Sequence, residues 1–113
     1  MINIGDIYKV IIYYKNKSSD GKSRPVLIIN IDSSNSDICT IVEITSALPE
    51  KDNYYSKFKE EIKNWQQCGL NKPSYVKCRN IHNIEIERLY EKIGTMKKDD
   101  LCNILCKIAE HNS

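Results

Sequence analysis

The sequence lacks the features that mark several large classes of protein. No apolar run approaches the about 20 residues that a membrane-spanning helix needs. The opening MINIGDIYKV has no basic segment followed by an apolar block, so we expect no signal peptide and a cytoplasmic protein. The net charge is only +2, so the chain has no large excess of positive charge with which to bind polyanions in general. With 113 residues, 41% of them hydrophobic, the chain fits one globular domain over residues 1–113.

Cysteine is present, but it follows neither a disulfide pattern nor a zinc pattern. The five cysteines are odd in number, scattered in spacing and contain no C-x-x-C pair. Cys102 and Cys106 would share one face of a helix with His111 nearby, so a metal site there stays an alternative. We expect unpaired thiols that are buried or half-buried, and no bound metal or other cofactor.

Stretches rich in β-branched and aromatic residues, separated by polar turns, predict several short strands. The segment LCNILCKI at 101–108 places apolar residues at i, i+3, i+4 and i+7, which predicts an amphipathic helix over 98–110. Residues 57–70 fit a helix or a short strand, and residues 82–94 mix a turn with a short helix or strand. This order predicts an α+β, mainly β fold in which a small curled sheet or barrel packs on a C-terminal helix. The predicted strands are residues 7–14, 24–31, 38–45 and 73–81.

Charge is distributed unevenly along the chain. Residues 1–30 carry five cations and two anions, residues 31–62 three and seven, and residues 63–92 six and three. Two basic segments thus flank an acidic one. A local basic face forms only if the two basic segments come together in space.

A permanent cation stands where a polar loop enters an apolar strand. Arg24 and Pro25 directly precede VLII, and the loop before them contains the turn signal Asp20-Gly21. An arginine at such a junction is usually solvated or salt-bridged, but a guanidinium there can also be aimed at an anion. The residues alone leave both interpretations open.

Five segments, in order along the chain, resemble the PemK/MazF family of toxins from type II toxin–antitoxin systems. They are GDIY at 5–8, SRPVLII at 23–29, ITS at 44–46, KPSYV at 72–76 and KIGT at 92–95, followed by the final helix. The resemblance implies a curled sheet or Src-homology-3-like barrel of the CcdB/PemK type, and a homodimer that a cognate antitoxin binds. It also implies sequence-specific, metal-independent cleavage of single-stranded RNA (mRNA) by attack of the ribose 2′-hydroxyl.

The same resemblance assigns roles to individual residues. Arg24 and Thr45 correspond to the catalytic pair of the family, and no metal ligand is expected. A guanidinium suits its role because it donates two parallel hydrogen bonds to a phosphate and stays charged. Thr45 and Ser46 follow a strand, where such hydroxyls usually serve only as turn formers. The residues expected to line the RNA path are Lys22, Ser23, Ser46, Lys77, Arg79 and His82.

The chain departs from the family pattern at the end of the strand predicted over 73–81. Many relatives carry an acidic residue, then glutamine, and then Arg-Thr, whereas this sequence has Arg79, Asn80 and His82-Asn83. The acid proposed as general base in some members is therefore missing at Arg79. His82 is either a substitute acid–base group, since imidazole titrates near neutral pH, or a surface turn histidine.

Two other functions stay open at the level of sequence. The missing acid favours a non-catalytic binding protein on the same scaffold, either a CcdB-like gyrase poison or a nucleic-acid-binding protein. A small structural or adaptor domain is the third alternative, and it would tolerate other residues at position 24. The presence of both Arg24 and Thr45 favours the endoribonuclease.

Overall fold

The computed structural model describes residues 2–12, 21–51 and 53–113. Within these residues the chain forms six β-strands and one α-helix, joined by loops and three short 3₁₀ segments. The strands are β1 (Asp6–Ile12), β2 (Lys22–Ile31), β3 (Ile38–Thr45), β4 (Lys59–Glu61), β5 (Tyr75–Glu85) and β6 (Glu91–Thr95), and the helix is α1 (Lys98–His111). The 3₁₀ segments are Tyr54–Phe58, Trp65–Cys68 and Ile86–Arg88.

The strands form one antiparallel sheet with the order β4-β5-β3-β2-β1-β6. Strands β1 to β3 follow one another as neighbours, and β6 returns to pair with β1 at the far edge. Register shifts interrupt the β1–β6, β2–β3 and β3–β5 ladders. Because such irregularities bend and twist a sheet, this one curls. The predicted α+β, mainly β fold with a C-terminal helix is confirmed.

The fourth predicted strand, residues 73–81, begins later and runs further than expected, as β5. Its last residues are mostly polar, so their composition did not indicate a strand. They remain in the sheet because their backbone pairs with β3. The Thr40 hydroxyl also donates a hydrogen bond to Asn83 Oδ1 at 2.7 Å across this pair.

The ambiguous segments resolve into short elements. Residues 57–70 contain β4 between two 3₁₀ segments, and residues 82–94 contain the end of β5, a 3₁₀ segment and most of β6. The helix predicted over 98–110 is confirmed as α1. The end of the first predicted strand, residues 13–14, and the loop positions 15–20 lie outside the described residues.

One face of the sheet packs against α1, and we call it the helix face. Ile104 and Ile108 of α1 join the strand side chains there in one buried cluster. Asp100, in the first turn of the helix, is buried, and its Oδ2 accepts hydrogen bonds from the backbone N–H and side-chain amide of Asn64 at 2.9 and 3.1 Å. These bonds fix the start of α1 against the segment after β4. The strand residues of the cluster are Ile7, Leu27, Val42, Ile44, Val76 and Cys78.

Two glycines allow β6 to pass directly against the 3₁₀ segment Trp65–Cys68. Gly69 has φ +92°, a backbone conformation that residues with side chains rarely adopt. A Cβ on Gly94 would lie 2.2 Å from the Cys68 carbonyl oxygen, and a Cβ on Gly69 would lie 2.4 Å from the Ile93 carbonyl oxygen. Both positions therefore require glycine.

The other side of the sheet, which we call the opposite face, carries a second apolar cluster. Side chains of directly paired residues project to the same face of an antiparallel sheet. The cluster therefore defines the face on which each neighbouring polar residue lies. Its buried members are Val10, Val26, Ile28, Cys39, Ile41 and Ile84.

Candidate active site

Strand pairing brings most of the predicted site residues to the opposite face. Arg24 pairs with Val10 of the apolar cluster on that face. His82 pairs with Ile41 of the same cluster. Because side chains alternate between the two faces along a strand, three further predicted residues also project to the opposite face. The five that share the opposite face are Lys22, Arg24, Thr45, Lys77 and His82.

Arg24 and Thr45 lie near the ends of two neighbouring strands. The β2–β3 ladder ends at the pair Val26 and Glu43, two residues from Arg24 on β2 and two residues from Thr45 on β3. The two residues singled out by the family resemblance thus lie on the same face, where β2 begins and β3 ends.

The Thr45 hydroxyl is held by its own turn and can still donate a hydrogen bond. Its Oγ1 accepts a hydrogen bond from the Ala47 N–H at 3.1 Å, which is the local contact of a turn former. A hydroxyl that accepts such a bond keeps its own proton for a second partner. Thr45 and Arg24 are both half-buried, so each side chain is partly accessible to a ligand.

A buried carboxylate that the sequence analysis did not single out lies on the same face. The Glu43 side chain is only 6% exposed, and three side chains surround it. Lys77 Nζ lies 3.8 Å from Oε1, the Asn80 amide donates a hydrogen bond to Oε2 at 3.3 Å, and His82 Nε2 lies 2.9 Å from Oε2. A buried charge is tolerated when it is paired and hydrogen-bonded in this way.

The register shift between β3 and β5 assembles this cluster. Val42 pairs with Ile81 and Ile44 pairs with Val76, so Glu43 alone on β3 faces the four residues 77–80 on β5. The surplus residues bulge from the sheet and carry Lys77 and Asn80 to the carboxylate. The sequence did contain a signal for this residue. Glu43 occupies the next alternate position after Cys39 and Ile41, which are buried on the same face of the sheet.

The three remaining predicted residues lie away from this cluster. The Ser23 hydroxyl is hydrogen-bonded to the Tyr90 hydroxyl, and Ser46 is exposed just beyond β3. Arg79 is exposed, and its guanidinium carbon lies 4.8 Å from the centre of the Phe58 ring. Ser23 and Ser46 therefore belong to the rim of the site at most.

Arg79 lies beside a second basic feature, a surface cavity of about 380 Å³. Lys59, Lys77 and Arg79 all line it, together with the amide of Asn80. Three cations around one opening favour an anionic ligand such as a phosphate chain. Lys59 was not among the predicted residues, because its placement depends on the pairing of β4 with β5.

The thiols fall into two groups. Cys39, Cys68 and Cys78 are buried, as expected, and burial raises the pKa of all three thiols, that of Cys78 to about 12. The same expectation is wrong for Cys102 and Cys106, which are exposed on α1. Neither belongs to a metal-binding group, because no three His, Cys, Asp or Glu side chains come together as a candidate metal site in the described residues.

The comparisons with known proteins agree with this architecture. A model of PemK-like, MazF-like toxins of type II toxin–antitoxin systems matches residues 3–111. A MazE–MazF structure from Deinococcus radiodurans superposes with a TM-score of 0.72 at 15% identity, over 98% of this chain and 95% of that one. A mycobacterial endoribonuclease in complex with its cognate antitoxin gives 0.68 at 16% identity, over 95% and 88%. The Mycobacterium tuberculosis toxin MazF-mt6 gives 0.61 at 23% identity, over 91% and 93%.

At these identities the solved structures establish the fold alone, whereas the family model spans nearly the whole chain. The chain belongs to the PemK-like, MazF-like family of toxins of type II toxin–antitoxin systems. The family resemblance predicted from the five sequence segments is thereby confirmed. No curated protein matches the sequence closely enough to serve as a relative. Among the described residues, no helix has the length and apolar character needed to cross a bilayer.

Proposed function

We propose that this protein is an endoribonuclease toxin that cleaves single-stranded RNA at specific sequences without a metal ion. The observation that supports the proposal is that Arg24, near the start of β2, and Thr45, at the end of the neighbouring strand β3, project to the same face of the sheet. Family membership supports the activity, since solved structures with this fold include an endoribonuclease.

In this mechanism the ribose 2′-hydroxyl attacks the adjacent phosphorus, and the products carry a cyclic phosphate and a free 5′-hydroxyl. Negative charge gathers on the non-bridging oxygens of the phosphorane-like transition state. Arg24 would donate two parallel hydrogen bonds to those oxygens, and the free hydroxyl proton of Thr45 would add a third. A preorganised donor of this kind contributes about 3–4 kcal/mol, or about a hundredfold to a thousandfold in rate.

The RNA path would run across the cations on either side of this pair. Lys22 lies on the opposite face two residues before Arg24, and Lys77 lies beyond β3 on the same face. The cavity lined by Lys59, Lys77 and Arg79 continues the basic surface toward the edge strand β4. Ser23, Ser46 and His82 would complete the path. The basic segments 1–30 and 63–92 thus contribute to one surface, as the charge distribution allowed.

The remaining features of the proposal follow from the family. A MazE–MazF structure from Deinococcus radiodurans and a mycobacterial endoribonuclease bound to its cognate antitoxin support a cognate antitoxin as partner here. We also infer a homodimer, one domain over residues 1–113, and action in the cytoplasm, where mRNA is available. The two apolar clusters lie on the two faces of a single sheet, which supports one domain.

The test is incubation of the purified protein with a long single-stranded RNA in EDTA, beside Arg24→Ala and Thr45→Ala, with the cut ends mapped. We expect discrete cuts with cyclic phosphate and 5′-hydroxyl ends, reduced about a hundredfold or more in Arg24→Ala. Lys107→Ala removes one positive charge from α1, where Lys107 pairs with Glu110, and should cleave like the wild type. Circular dichroism establishes that each variant is folded.

Two results would contradict the proposal. Full cleavage by folded Arg24→Ala would remove the mechanism, and inhibition by EDTA would remove the metal independence. Intact RNA in every lane would instead support the binding-protein alternative, whose target would be gyrase or an uncleaved nucleic acid.

A further inference from the structure

The cavity of about 380 Å³ lined by Lys59, Lys77 and Arg79, which we call the basic cavity, holds more positive charge than its surroundings balance. None of its described lining residues is acidic. Within the described part of the chain, Lys59 and Arg79 form no ion pair, and Lys77 has only the contact of 3.8 Å with Glu43. One carboxylate neutralises at most one of the three cations. The basic cavity therefore keeps an excess of positive charge.

Strand pairing holds two of these cations against each other. Lys59 of β4 pairs directly with Lys77 of β5, so their Cβ atoms lie about 4.5–5.5 Å apart. Like charges in directly opposed positions destabilise a sheet. Both lysines are half-buried, and solvent ions screen partly buried charges less than exposed ones. An anion bound between the two ammonium groups would remove this repulsion.

The other groups around the basic cavity suit the oxygens of a phosphate. The Arg79 guanidinium offers a planar fork of donors, and the Phe58 ring supports it at 4.8 Å from the guanidinium carbon. Ser56 is buried, and its hydroxyl accepts a hydrogen bond from the Glu50 N–H at 2.8 Å. Such a hydroxyl keeps its own proton for a second partner. The donors at this opening thus match the two non-bridging oxygens of a phosphodiester.

A single residue connects the basic cavity to the end of β3. The Ala47 N–H donates to Thr45 Oγ1 at 3.1 Å, and the Ala47 carbonyl accepts from Lys59 Nζ at 3.3 Å. Thr45 also pairs with Tyr75, two residues before Lys77 on β5. The spacing of strands and the rise along them place the Cα atoms of Thr45 and Lys77 about 8 Å apart. An RNA strand with one phosphate at Thr45 can therefore reach the basic cavity with a neighbouring phosphate.

We propose that Lys59, Lys77 and Arg79 together bind a phosphodiester that flanks the cleaved one, with Lys59 as a further binding residue for the RNA. The inference rests on the proposed function. Because the flanking phosphate does not react, these cations hold it equally in the ground state and in the transition state. Such uniform binding lowers KM and leaves kcat unchanged. An RNA fragment that ends before the flanking phosphate should therefore be a poor substrate.

The test measures kcat and KM on one cleaved RNA for the wild type, Lys59→Gln and Arg79→Gln. We expect KM to rise about tenfold in each variant, since each loses a charged hydrogen-bond donor, while kcat stays within about twofold. An RNA with a 2′-O-methyl group at the cleaved ribose cannot be cut by 2′-hydroxyl attack, so its dissociation constant should rise by the same factor. Lys107→Gln removes the same charge from α1, and a rise in its KM as large as theirs would overturn the site.

Uncharged linkages locate the phosphate. Methylphosphonate replaces one linkage at a time on both sides of the cut, in the uncleavable RNA. In the wild type, one flanking position should weaken binding about tenfold, whereas Lys59→Gln/Arg79→Gln should lose much less there, because the partners of that phosphate are already gone. Equal losses in both proteins at every position would contradict the proposal.

The outcomes separate this inference from the function on which it rests. A wild type that cuts RNA, with KM unchanged in Lys59→Gln and Arg79→Gln, would overturn the flanking site and leave the nuclease intact. If no RNA is cut, binding of a short single-stranded DNA of mixed sequence still tests the cations. Weaker binding and a smaller salt dependence in both variants, but not in Lys107→Gln, would support a backbone-binding site without cleavage. Unchanged binding, or inorganic phosphate as the only ligand whose binding depends on Lys59, would overturn it.

Discussion

The two faces of the sheet bury similar apolar residues, but they differ in the partners of their buried carboxylates. On the helix face, α1 covers the centre, and its buried Asp100 is bound by the neutral groups of Asn64. On the opposite face, the buried Glu43 faces a lysine, an amide and a half-exposed histidine. The helix face is built for packing, whereas the opposite face keeps charged groups at the border between its apolar cluster and solvent.

This difference indicates which face carries the chemistry. A buried carboxylate is stable only while its partners are held in place, so a protein gains little stability from it compared with apolar packing. The bulge of β5 that carries Lys77 and Asn80 to Glu43 also interrupts the ladder to β3. Features that cost stability and collect reactive side chains are typical of functional sites.

The largest expected contrast concerns the thiols. With a pKa of about 12, only about one Cys78 thiol in ten thousand is ionised at pH 8, and burial also blocks access to the reagent. We expect iodoacetamide at pH 8 to label the exposed Cys102 and Cys106 at least about a thousandfold faster than Cys78 and Cys39. Mass spectrometry of digested protein measures each site, and urea-unfolded protein is the control in which all five react.

Two of the three buried thiols allow a direct comparison of the faces, because Cys78 belongs to the helix face and Cys39 to the opposite face. Equal protection would establish that both apolar clusters are closed to reagent and that the faces differ only at their polar border. Fast labelling of Cys39 in folded protein would contradict that description.

The second contrast is one of packing. Ile104 is fully buried between α1 and the sheet, so Ile104→Ala should lower the free energy of unfolding by about 2–5 kcal/mol. Cleavage per folded molecule should be unchanged, since the helix face carries no proposed site residue. Urea unfolding followed by fluorescence of Trp65, which packs against the same cluster, measures the loss. Cys102→Ala, at an exposed position of the same helix, is the control and should change stability by less than about 0.5 kcal/mol.

The smallest expected effect belongs to the charged cluster. Glu43→Ala removes the acceptor shared by Lys77, Asn80 and His82, and we expect a loss of about 1–3 kcal/mol in the free energy of unfolding. Glu91→Ala, which breaks an exposed ion pair of 2.7 Å with Lys9, should change stability far less. A loss in Glu43→Ala as large as that in Ile104→Ala would show that the carboxylate is as important to packing as the helix core, and would erase the distinction between the faces.

Local pattern predicted the fold class, while pairing between distant segments decided the details. Alternating and β-branched residues sufficed for β2 and β3, and helical spacing sufficed for α1, because each signal lies within one stretch of chain. The extension of β5 to Glu85 could not be read locally, since those polar residues form a strand only when β3 is present to pair with them. The same reason left residues 57–70 open between a helix and a short strand, because β4 has three residues and one partner strand.

The residues of the candidate site also fall into those that a local pattern predicted and those that only pairing between distant segments revealed. Arg24 and Thr45 were predicted from short motifs, and His82 was named with two roles left open. Glu43 was missed, although it occupies a position that alternation on β3 marks as buried. Its importance depends on Lys77, Asn80 and His82, which approach it only through the surplus residues of β5.

The sequence by itself determined that this protein is a small, mainly β domain with a closing helix, and that a cation stands at the start of its second strand. Those properties follow from side-chain periodicity and composition within contiguous stretches. Only the tertiary structure decided that Arg24 and Thr45 share one face with three other predicted residues, and that a buried glutamate holds the imidazole of His82. Strand register decides these placements, because a shift of one residue moves every side chain of a strand to the other face of the sheet.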